Sequence, residues 1–292
     1  MGGLPGAAAA PRTFRKDTME YDVETTPGTP PPAVAGQFVQ SLARGLDVIR
    51  AFDAEHHSMT LTDVAKRTGL SRATARRFLL TLAELGYVRT DGKHFELTAQ
   101  VLQLGYAFLS GHTLTELIEP VLEELSSRLN ESASASVLDG ADVVYIARVH
   151  TRRIMRVGIA VGSRFPAYAT SMGRVLLAHL EPEELDAALA ARPLEALTPN
   201  TITDPGTLHS ELATVRERGW CLVDQELEVG LRSIAVPVMS PDGTVAAALN
   251  VSMSTLPGTA PGGGNRADEA MDVLPHLQQA ATRIEEALRA RR

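Results

Sequence analysis

Residues 60–97 read TLTDVAKRTGLSRATARRFLLTLAELGYVRTDGKHFEL, and this stretch decides the fold of the N-terminal part of the chain. Apolar residues at helical spacing predict one helix that begins after Thr60 and a second over residues 72–85. Gly69 stands where the first helix would end in a left-handed residue, and Ser71 is a suitable N-cap for the second. Two helices joined by a short glycine-containing turn are typical of a helix-turn-helix.

A hairpin is predicted directly after the second helix. Two β-prone runs, residues 87–90 and 93–97, flank the dipeptide Asp91-Gly92. Asp-Gly between such runs is a strong signal for a β-hairpin. A hairpin in this position is a wing, so we predict a winged helix-turn-helix domain over residues 37–98.

The second helix of this motif is expected to carry a cationic outer surface. Ala75, Phe78 and Leu79 form its inward stripe, and three arginines precede its first acidic residue, Glu84. Arginines and a helix N-terminus attract phosphate, and arginine also binds guanine edges in the major groove. The plain alternative is a solvated charged face, which the adjoining turn and hairpin disfavour. The residues expected to contact double-stranded DNA are Ser71, Arg72, Ala73, Thr74, Arg76, Arg77, Arg89 and Lys93.

Charge is distributed unevenly along the 292 residues. Residues 37–97 hold nine Lys and Arg against seven Asp and Glu, a net charge of +2, whereas residues 98–292 hold 16 against 24, a net charge of −8. This asymmetry indicates a nucleic-acid-binding head on a body with another task. Because the chain has one cysteine, no run of about 18 apolar residues and no secretory signal pattern, we expect a cytoplasmic protein without disulfides or membrane spans.

The remaining chain divides into a tail, a linker and a body. Residues 1–36, rich in Gly, Ala and Pro, predict a disordered tail. Residues 99–112 predict a linker helix that packs against a second copy of itself or, alternatively, against its own body. Residues 113–292 combine strand pairs, hairpin turns and helices. The expected fold class is therefore α+β, with a mostly antiparallel sheet flanked by helices in the body.

The body sequence holds polar residues but no recognisable catalytic motif. The segment SMGR at 171–174 lacks the glycine that a nucleophile elbow needs two residues before its serine, and the histidines lack metal-ligand spacing. We expect no catalytic residue, metal or cofactor, and an anion-binding helix N-terminus near Ser171 instead. Ser233, Asn250 and Ser252 interrupt apolar strands. Buried polar groups need partners, which a small ligand, ordered water or the backbone can provide.

From Val39 onward the sequence resembles the IclR family of transcription regulators. The resemblance is carried in the head by residues 41–46 and 70–77, and in the body by PAYATSMGRVLLA at 166–178 and VDQELEVGLRSIAVP at 223–237. The two body segments are similar to the Pca and Pob branch, which controls aromatic-acid breakdown through the β-ketoadipate pathway. The resemblance implies a winged helix-turn-helix, a dimerising linker helix, a GAF-like effector domain, and homodimers that pair into tetramers.

The resemblance also implies an effector site for a small organic acid. Some relatives have Cys at the position of Ser233 and Ser at that of Asn250, so their effectors need not be the same. Arg152 and Arg156 would suit an aromatic or dicarboxylic acid. Two alternatives stay open, an enzyme that transforms a small acid and a DNA-binding protein whose body only oligomerises. The expected effector-binding residues are Ser171, Met172, Asp224, Ser233, Asn250, Ser252 and Arg156.

Overall fold

The computed structural model describes residues 38–53, 55–105, 113–150, 159–255 and 266–291. The chain forms two compact units that divide between Val101 and Leu102. The first unit combines helices with a small sheet, and the second is built on a six-stranded sheet. The predicted α+β class is confirmed. Within the described residues, no helix is both long and apolar enough to span a membrane.

The first unit packs its helices against an antiparallel sheet in the order β1–β3–β2. Its elements are the helices α1 (Gln40–Arg50), α2 (Leu61–Thr68) and α3 (Arg72–Glu84) and the strands β1 (Ser58–Thr60), β2 (Val88–Thr90) and β3 (His94–Leu97). Val48, Val64 and Leu79 from the helices meet Met59 and Phe95 from the sheet in one core. Each such side chain contributes roughly 1.5–3 kcal/mol on full burial.

The turn between α2 and α3 follows from its residues. Thr60 and Asp63 form a capping box in which the Asp63 amide donates to Thr60 Oγ1 (3.4 Å) and the Thr60 amide donates to the Asp63 carboxylate (3.0 Å). Gly69 ends α2 with φ at 65°, a left-handed conformation that glycine adopts without strain. Ser71 caps α3 by accepting from the Thr74 amide (3.2 Å). The predicted helix-turn-helix is therefore present, and β2 and β3 form its wing.

One strand of the first unit is missing from the sequence prediction. The sequence predicts only a polar interruption over residues 53–58, whereas Ser58–Thr60 forms β1 and pairs with β3, with Met59 opposite Phe95. Met59 is 2% exposed. A three-residue strand held by one apolar side chain is too short to show an alternating pattern, so the sequence gives no signal for it.

The predicted linker lies only partly within the described residues. Ala99–Val101 forms a 3-10 turn and residues 102–105 are helical, and the rest of the 99–112 segment lies outside the described ranges. The predicted tail, residues 1–36, and the segment 151–158 lie outside them as well.

The second unit is an antiparallel sheet in the order β6–β5–β4–β9–β8–β7. Its elements are the helices α4 (Thr113–Leu129), α5 (Ser171–Ala178), α6 (Pro182–Ala190), α7 (Pro205–Arg218) and α8 (Arg266–Ala290) and the strands β4 (Ser132–Asp139), β5 (Asp142–Val149), β6 (Arg164–Pro166), β7 (Cys221–Asp224), β8 (Leu231–Met239) and β9 (Val245–Ser254). The helix start at Pro205 follows from Asp204, whose carboxylate accepts from the Thr207 amide (2.7 Å).

The two faces of this sheet have different chemistry. One face packs against α4 and α8 through apolar side chains such as Ile118, Leu249 and Leu277. The other face packs against α5 and α7, with Met172 and Leu208 in the core between them. Because side chains alternate between faces along each strand, the serines of β4, Ser233 of β8, and Asn250 and Ser252 of β9 fall on the α5 side.

Candidate DNA-binding and ligand-binding sites

The outer surface of α3 is cationic. Ala75 and Leu79 anchor the helix in the core, and Arg72, Arg76 and Arg77 are exposed. None of these three guanidinium groups makes an ion pair or hydrogen bond with another described residue. Unpaired, solvated arginines on a helix of this motif are free to bind phosphate oxygens or base edges.

The first turn of α3 presents small groups. Ser71 and Ala73 are exposed and Thr74 is half-buried. The Ser71 and Thr74 hydroxyls lie 2.8 Å apart in a hydrogen bond, so capping and mutual pairing occupy both. The Ala73 methyl group is exposed, and a methyl group of this kind suits contact with a thymine methyl.

The wing holds one paired and one unpaired cation. Arg89 donates from Nε (2.9 Å) and Nη2 (2.6 Å) to Glu96 Oε2, and this bonding lowers the pKa of Glu96. Asp91 at the turn accepts from the backbone amides of His94 (2.6 Å) and Lys93 (2.8 Å), which lowers the pKa of Asp91 to about 2. Lys93 is exposed and makes no ion pair with another described residue.

A row of serines crosses the α5-facing side of the large sheet. Ser233, Ser252 and Ser132 lie side by side on β8, β9 and β4. Ser171, in the first turn of α5, donates from Oγ to Ser233 Oγ (2.9 Å). All four side chains are buried, as is Met172 next to Ser171. The structure thus brings together residues that are widely separated in the sequence.

The next row on the same face contains an arginine and an asparagine. Arg148, Ser134 and Asn250 lie side by side on β5, β4 and β9. Arg148 donates from Nη1 to Ser134 Oγ (3.0 Å) and from Nε to His150 Nδ1 (3.2 Å). Asn250 Nδ2 donates to Ser252 Oγ (3.2 Å), which links the two rows.

Two buried polar atoms on this face have no hydrogen-bond partner within the described part of the chain. They are Asn250 Oδ1 and Ser136 Oγ, on residues 3% and 0% exposed. A buried polar atom without a partner costs roughly 1–3 kcal/mol. A ligand that supplies polar groups here would remove that cost, which is the physical signature of a binding site for a polar small molecule.

Arg148 gives this face a positive charge. The side chain is half-buried, and no carboxylate of the described residues pairs with it. Burial lowers the pKa of Arg148, because desolvation disfavours the charged form. Its guanidinium lies 6.0 Å from the ring centroid of Tyr145. An anion bound beside this group would therefore be favoured over a neutral ligand of the same shape.

Sequence reasoning missed Arg148 and Ser134, although a signal for the serine exists. Residues 132–139 read SASASVLD, so serine occupies every second position at the start of β4. That alternation places Ser132, Ser134 and Ser136 on one face.

The structure does not bring Asp224 to this face. Asp224 alternates with Val223, which packs in the α5-side core, so its side chain points to the opposite side of the sheet. It accepts from Arg232 at 3.0 Å and 2.7 Å, and this ion pair lowers the pKa of Asp224. Arg156 lies outside the described residues.

The N-terminus of α5 differs from the expectation of an anion site. Thr170, not Ser171, is the N-cap, and its Oγ1 accepts from the Gly173 amide (3.0 Å). The Ser171 hydroxyl is bonded to Ser233 instead. A Cβ atom at position 173 would collide with the backbone of Ala167, so glycine is what allows the helix to approach so closely.

A buried ion pair fixes α5 to the loops around it. Arg174 is 1% exposed and forms a two-pronged pair with Glu226, including Nη1 to Oε1 at 2.8 Å. Arg174 Nε donates to the Tyr168 carbonyl (2.7 Å), and Glu226 Oε2 accepts from the Ile202 amide (2.9 Å). Every polar atom of this pair is engaged within the protein, so we assign Arg174 a structural role.

The winged helix-turn-helix of the first unit and the polar sheet face of the second define a class of protein, the two-domain DNA-binding regulators. Residues 41–92 match the IclR helix-turn-helix domain, and residues 106–284 match the bacterial transcriptional regulator IclR C-terminal domain. The chain belongs to the IclR family of transcription regulators.

Two of its relatives lie in the branch that the sequence indicates. The chain is 47% identical over 216 residues to the Pca regulon regulatory protein of Pseudomonas putida, covering 74% of each chain. It is 39% identical over 223 residues to the p-hydroxybenzoate hydroxylase transcriptional activator of Acinetobacter baylyi, covering 75% of this chain and 82% of the relative. The predicted membership of the Pca and Pob branch is confirmed.

Solved structures share the fold. A Rhodococcus sp. RHA1 crystal structure is 50% identical, with a TM-score of 0.75, and covers 87% of this chain and all of its own. An IclR homologue from Microbacterium hydrocarbonoxydans, complexed with 4-hydroxybenzoate, is 27% identical, with a TM-score of 0.73, covering 86% of this chain and 99% of its own.

Proposed function

We propose that this regulator binds a small aromatic or dicarboxylic acid in its second unit and controls genes for the breakdown of aromatic acids. The observation that carries the proposal is the convergence of Ser171, Ser233, Asn250 and Ser252 on one buried sheet face. Two observations support an aromatic or dicarboxylic acid as the ligand. The chain is similar to regulators of the Pca regulon and of p-hydroxybenzoate hydroxylase, and the Microbacterium homologue is complexed with 4-hydroxybenzoate. The proposal contains no catalytic step.

The head, which is the first unit, contacts the operator DNA. α3 lies in the major groove, with Arg72, Arg76 and Arg77 as its cationic contacts and Ser71, Ala73 and Thr74 at its tip. The wing residues Arg89 and Lys93 reach the flanking backbone or minor groove. Since operator DNA is the partner, the proposal places the protein in the cytoplasm.

A second copy of the chain is the other partner. Val39, Leu42 and Leu46 are 59%, 64% and 46% exposed, and their spacing forms one apolar stripe that begins before α1 and continues along it. An exposed apolar stripe of this kind favours pairing with another apolar surface. We infer homodimers, which pair into tetramers as in the family, and hence a palindromic or repeated operator.

The effector acts by differential affinity. The regulator has two states that differ in the spacing of its paired heads, and the acid binds one state more tightly than the other. A ligand can shift operator affinity only by the ratio of its affinities for the two states.

The test uses the purified full-length protein and fluorescent DNA from the promoter region of its own locus. Operator affinity is measured by anisotropy with and without 4-hydroxybenzoate, protocatechuate and β-ketoadipate. We expect specific binding that at least one acid changes. Binding that no acid alters would support a body that only oligomerises, and chemical conversion of an acid, followed by NMR, would support an enzyme.

Two variants test which side of the large sheet binds the effector. Asn250→Ala should bind operator DNA like the wild type and show a weaker response to the acid. Asp224→Ala disrupts an ion pair on the other side of the sheet, and a retained response would remove Asp224 from the effector site. A normal response in Asn250→Ala would place the effector site elsewhere.

A further inference from the structure

We propose that Arg148 binds the carboxylate of the effector and that Asn250 Oδ1 accepts a hydrogen bond from a hydroxyl group of the same molecule. The ligand class is then a hydroxylated carboxylic acid. This inference rests on the proposed function, because it assigns roles within the same sheet face.

The donor and acceptor types of the two side chains define this class. A guanidinium group has only donors, so it is complemented by an acceptor, and best by a carboxylate. Arg148 uses two of its nitrogens, toward Ser134 and His150, and contacts no carboxylate of the described residues. An amide oxygen has only acceptor capacity, and Asn250 Oδ1 is buried without a donor from the described part of the chain. The missing partners are an anion for Arg148 and a hydrogen-bond donor for Asn250, a role that a hydroxyl group of the ligand fills in this proposal.

The register of the sheet sets the separation of the two groups. Arg148 on β5 and Asn250 on β9 flank Ser134 on β4, so their Cα atoms are two strand spacings apart, roughly 10 Å. Arg148 extends toward β4, where its Nη1 lies 3.0 Å from Ser134 Oγ. The two recognition points are therefore separate but near each other. This arrangement suits an acid whose hydroxyl lies across the molecule from its carboxylate rather than beside it.

Tyr145 and Ser136 complete the surroundings of Arg148. Tyr145 lies three residues before Arg148 on β5. The centroid of its ring is 6.0 Å from the guanidinium carbon of Arg148. Ser136 Oγ, which also has no hydrogen-bond partner among the residues that the structure describes, follows Ser134 on the same face of β4. An aromatic neighbour and a further hydroxyl favour a ligand with a flat apolar body between its polar ends.

The experiment compares three probes by calorimetry on the full-length protein: 4-hydroxybenzoate, its neutral analogue 4-hydroxybenzamide, and benzoate. Wild-type protein should bind 4-hydroxybenzoate more tightly than the amide by about tenfold or more, since a charge-assisted contact is lost. In Arg148→Met the ratio of the affinities for 4-hydroxybenzoate and its amide should fall to near one. The tighter binding of 4-hydroxybenzoate relative to benzoate should remain. In Asn250→Ala the preference over benzoate should fall while the preference over the amide remains.

The matched control is Arg192→Met. Arg192 is a partly exposed arginine of the same unit that pairs with Asp142 (2.8 Å), so its loss changes the net charge equally. Both preferences should persist in this variant. Operator binding and the melting temperature of each variant report whether it folds, and Arg148→Lys, which keeps a positive charge, should retain part of the preference over the amide.

The outcomes distinguish this inference from the proposed function. If the wild type binds the acids but Arg148→Met, or Arg148→Gln should the first variant not fold, keeps the full preference over the amide, the assignment of Arg148 is wrong and the proposed function stands. If the wild type binds none of the three probes, the assignment is wrong. The proposed function then stands if protocatechuate or β-ketoadipate still changes operator binding, and fails if neither acid does.

Discussion

The two units of the molecule place the polar groups that can take up a ligand in opposite environments. In the head, the side chains of Arg72, Arg76 and Arg77 on α3 are exposed to solvent. In the body, Asn250 Oδ1 and Arg148 lie within or beside the core. Exposed charges are screened by salt and bind weakly one at a time, which suits a long polyanion with many phosphates. Buried groups bind few partners but demand their geometry, which suits one small molecule. The environment of a polar group therefore indicates which kind of partner it takes.

The largest effect should come from breaking a buried charge in the body. Glu226→Ala leaves Arg174, which is 1% exposed, without its carboxylate. Removal of one partner of a buried ion pair costs about 3–5 kcal/mol, because the remaining charge stays desolvated. We expect a strong loss of stability of the second unit, measured by urea unfolding with a probe in that unit.

The control for this prediction is an exposed pair of the same unit. Glu124→Ala removes the partner of Arg283, and these side chains are 60% and 49% exposed. The expected loss is below about 1 kcal/mol, since water solvates the remaining charge. Equal losses in the two variants would contradict the contrast between buried and exposed charge. Replacing the buried pair together, as Arg174→Met with Glu226→Leu, should recover much of the stability.

The second effect tests the exposed cations of the head. Arg76→Ala should weaken operator binding by about 1–3 kcal/mol, roughly 5- to 150-fold, without changing stability. Arg72→Ala should weaken it as well. Anisotropy titrations at several salt concentrations also show whether each arginine contacts phosphate, because loss of a phosphate contact reduces the salt dependence. Arg216→Ala, an equal charge change in the body, should bind normally, and unchanged affinity in both head variants would remove α3 as the recognition helix.

The same comparison explains what the sequence predicted well. Thr60, Gly69 and Ser71 set the start and end of α2 and the start of α3 through contacts three to five residues long. Such local rules can be applied from the sequence alone. The head and its exposed arginines were predictable for that reason. β1 was not, because its pairing with β3 connects segments more than thirty residues apart.

The body was predictable only in part. Alternation along β9 places Asn250 and Ser252 on one face, and the structure agrees. Arg148 became a site residue only once β4 was known to lie between β5 and β9, which is a non-local property. The face on which Asp224 lies shows a further limit. In a four-residue strand the phase of the alternation cannot be read from the sequence, and a shift of one residue changes the face.

The third effect concerns the difference between free and paired cations within the head. Glu96→Gln should release Arg89, which donates to it at 2.9 Å and 2.6 Å. A freed arginine on the wing should raise operator affinity by about two- to fivefold, the scale of an exposed ion pair. Glu55→Gln changes the net charge equally, and its side chain contacts no described residue, so it should raise affinity less. Identical gains would mean that overall charge, and not the release of Arg89, sets the effect.

The smallest effect shows that geometry also matters for an exposed charge. Backbone amides of His94 and Lys93 hold the pKa of Asp91 at about 2 in the folded wing. Because the folded pKa lies below the ordinary aspartate pKa of 3.8, the stabilisation is complete above about pH 4 and is lost as the pH falls toward 2. Asp91→Asn should therefore have a lower free energy of unfolding than the wild type at pH 7. This difference should shrink at pH 3, as measured by urea unfolding with a probe in the head. Asp47→Asn, whose side chain bonds to no described residue, should show no such difference. An equal difference in free energy of unfolding at both pH values would mean that the charge of Asp91 does not stabilise the wing. Stabilisation by positioned charges would then be limited to the buried groups of the body.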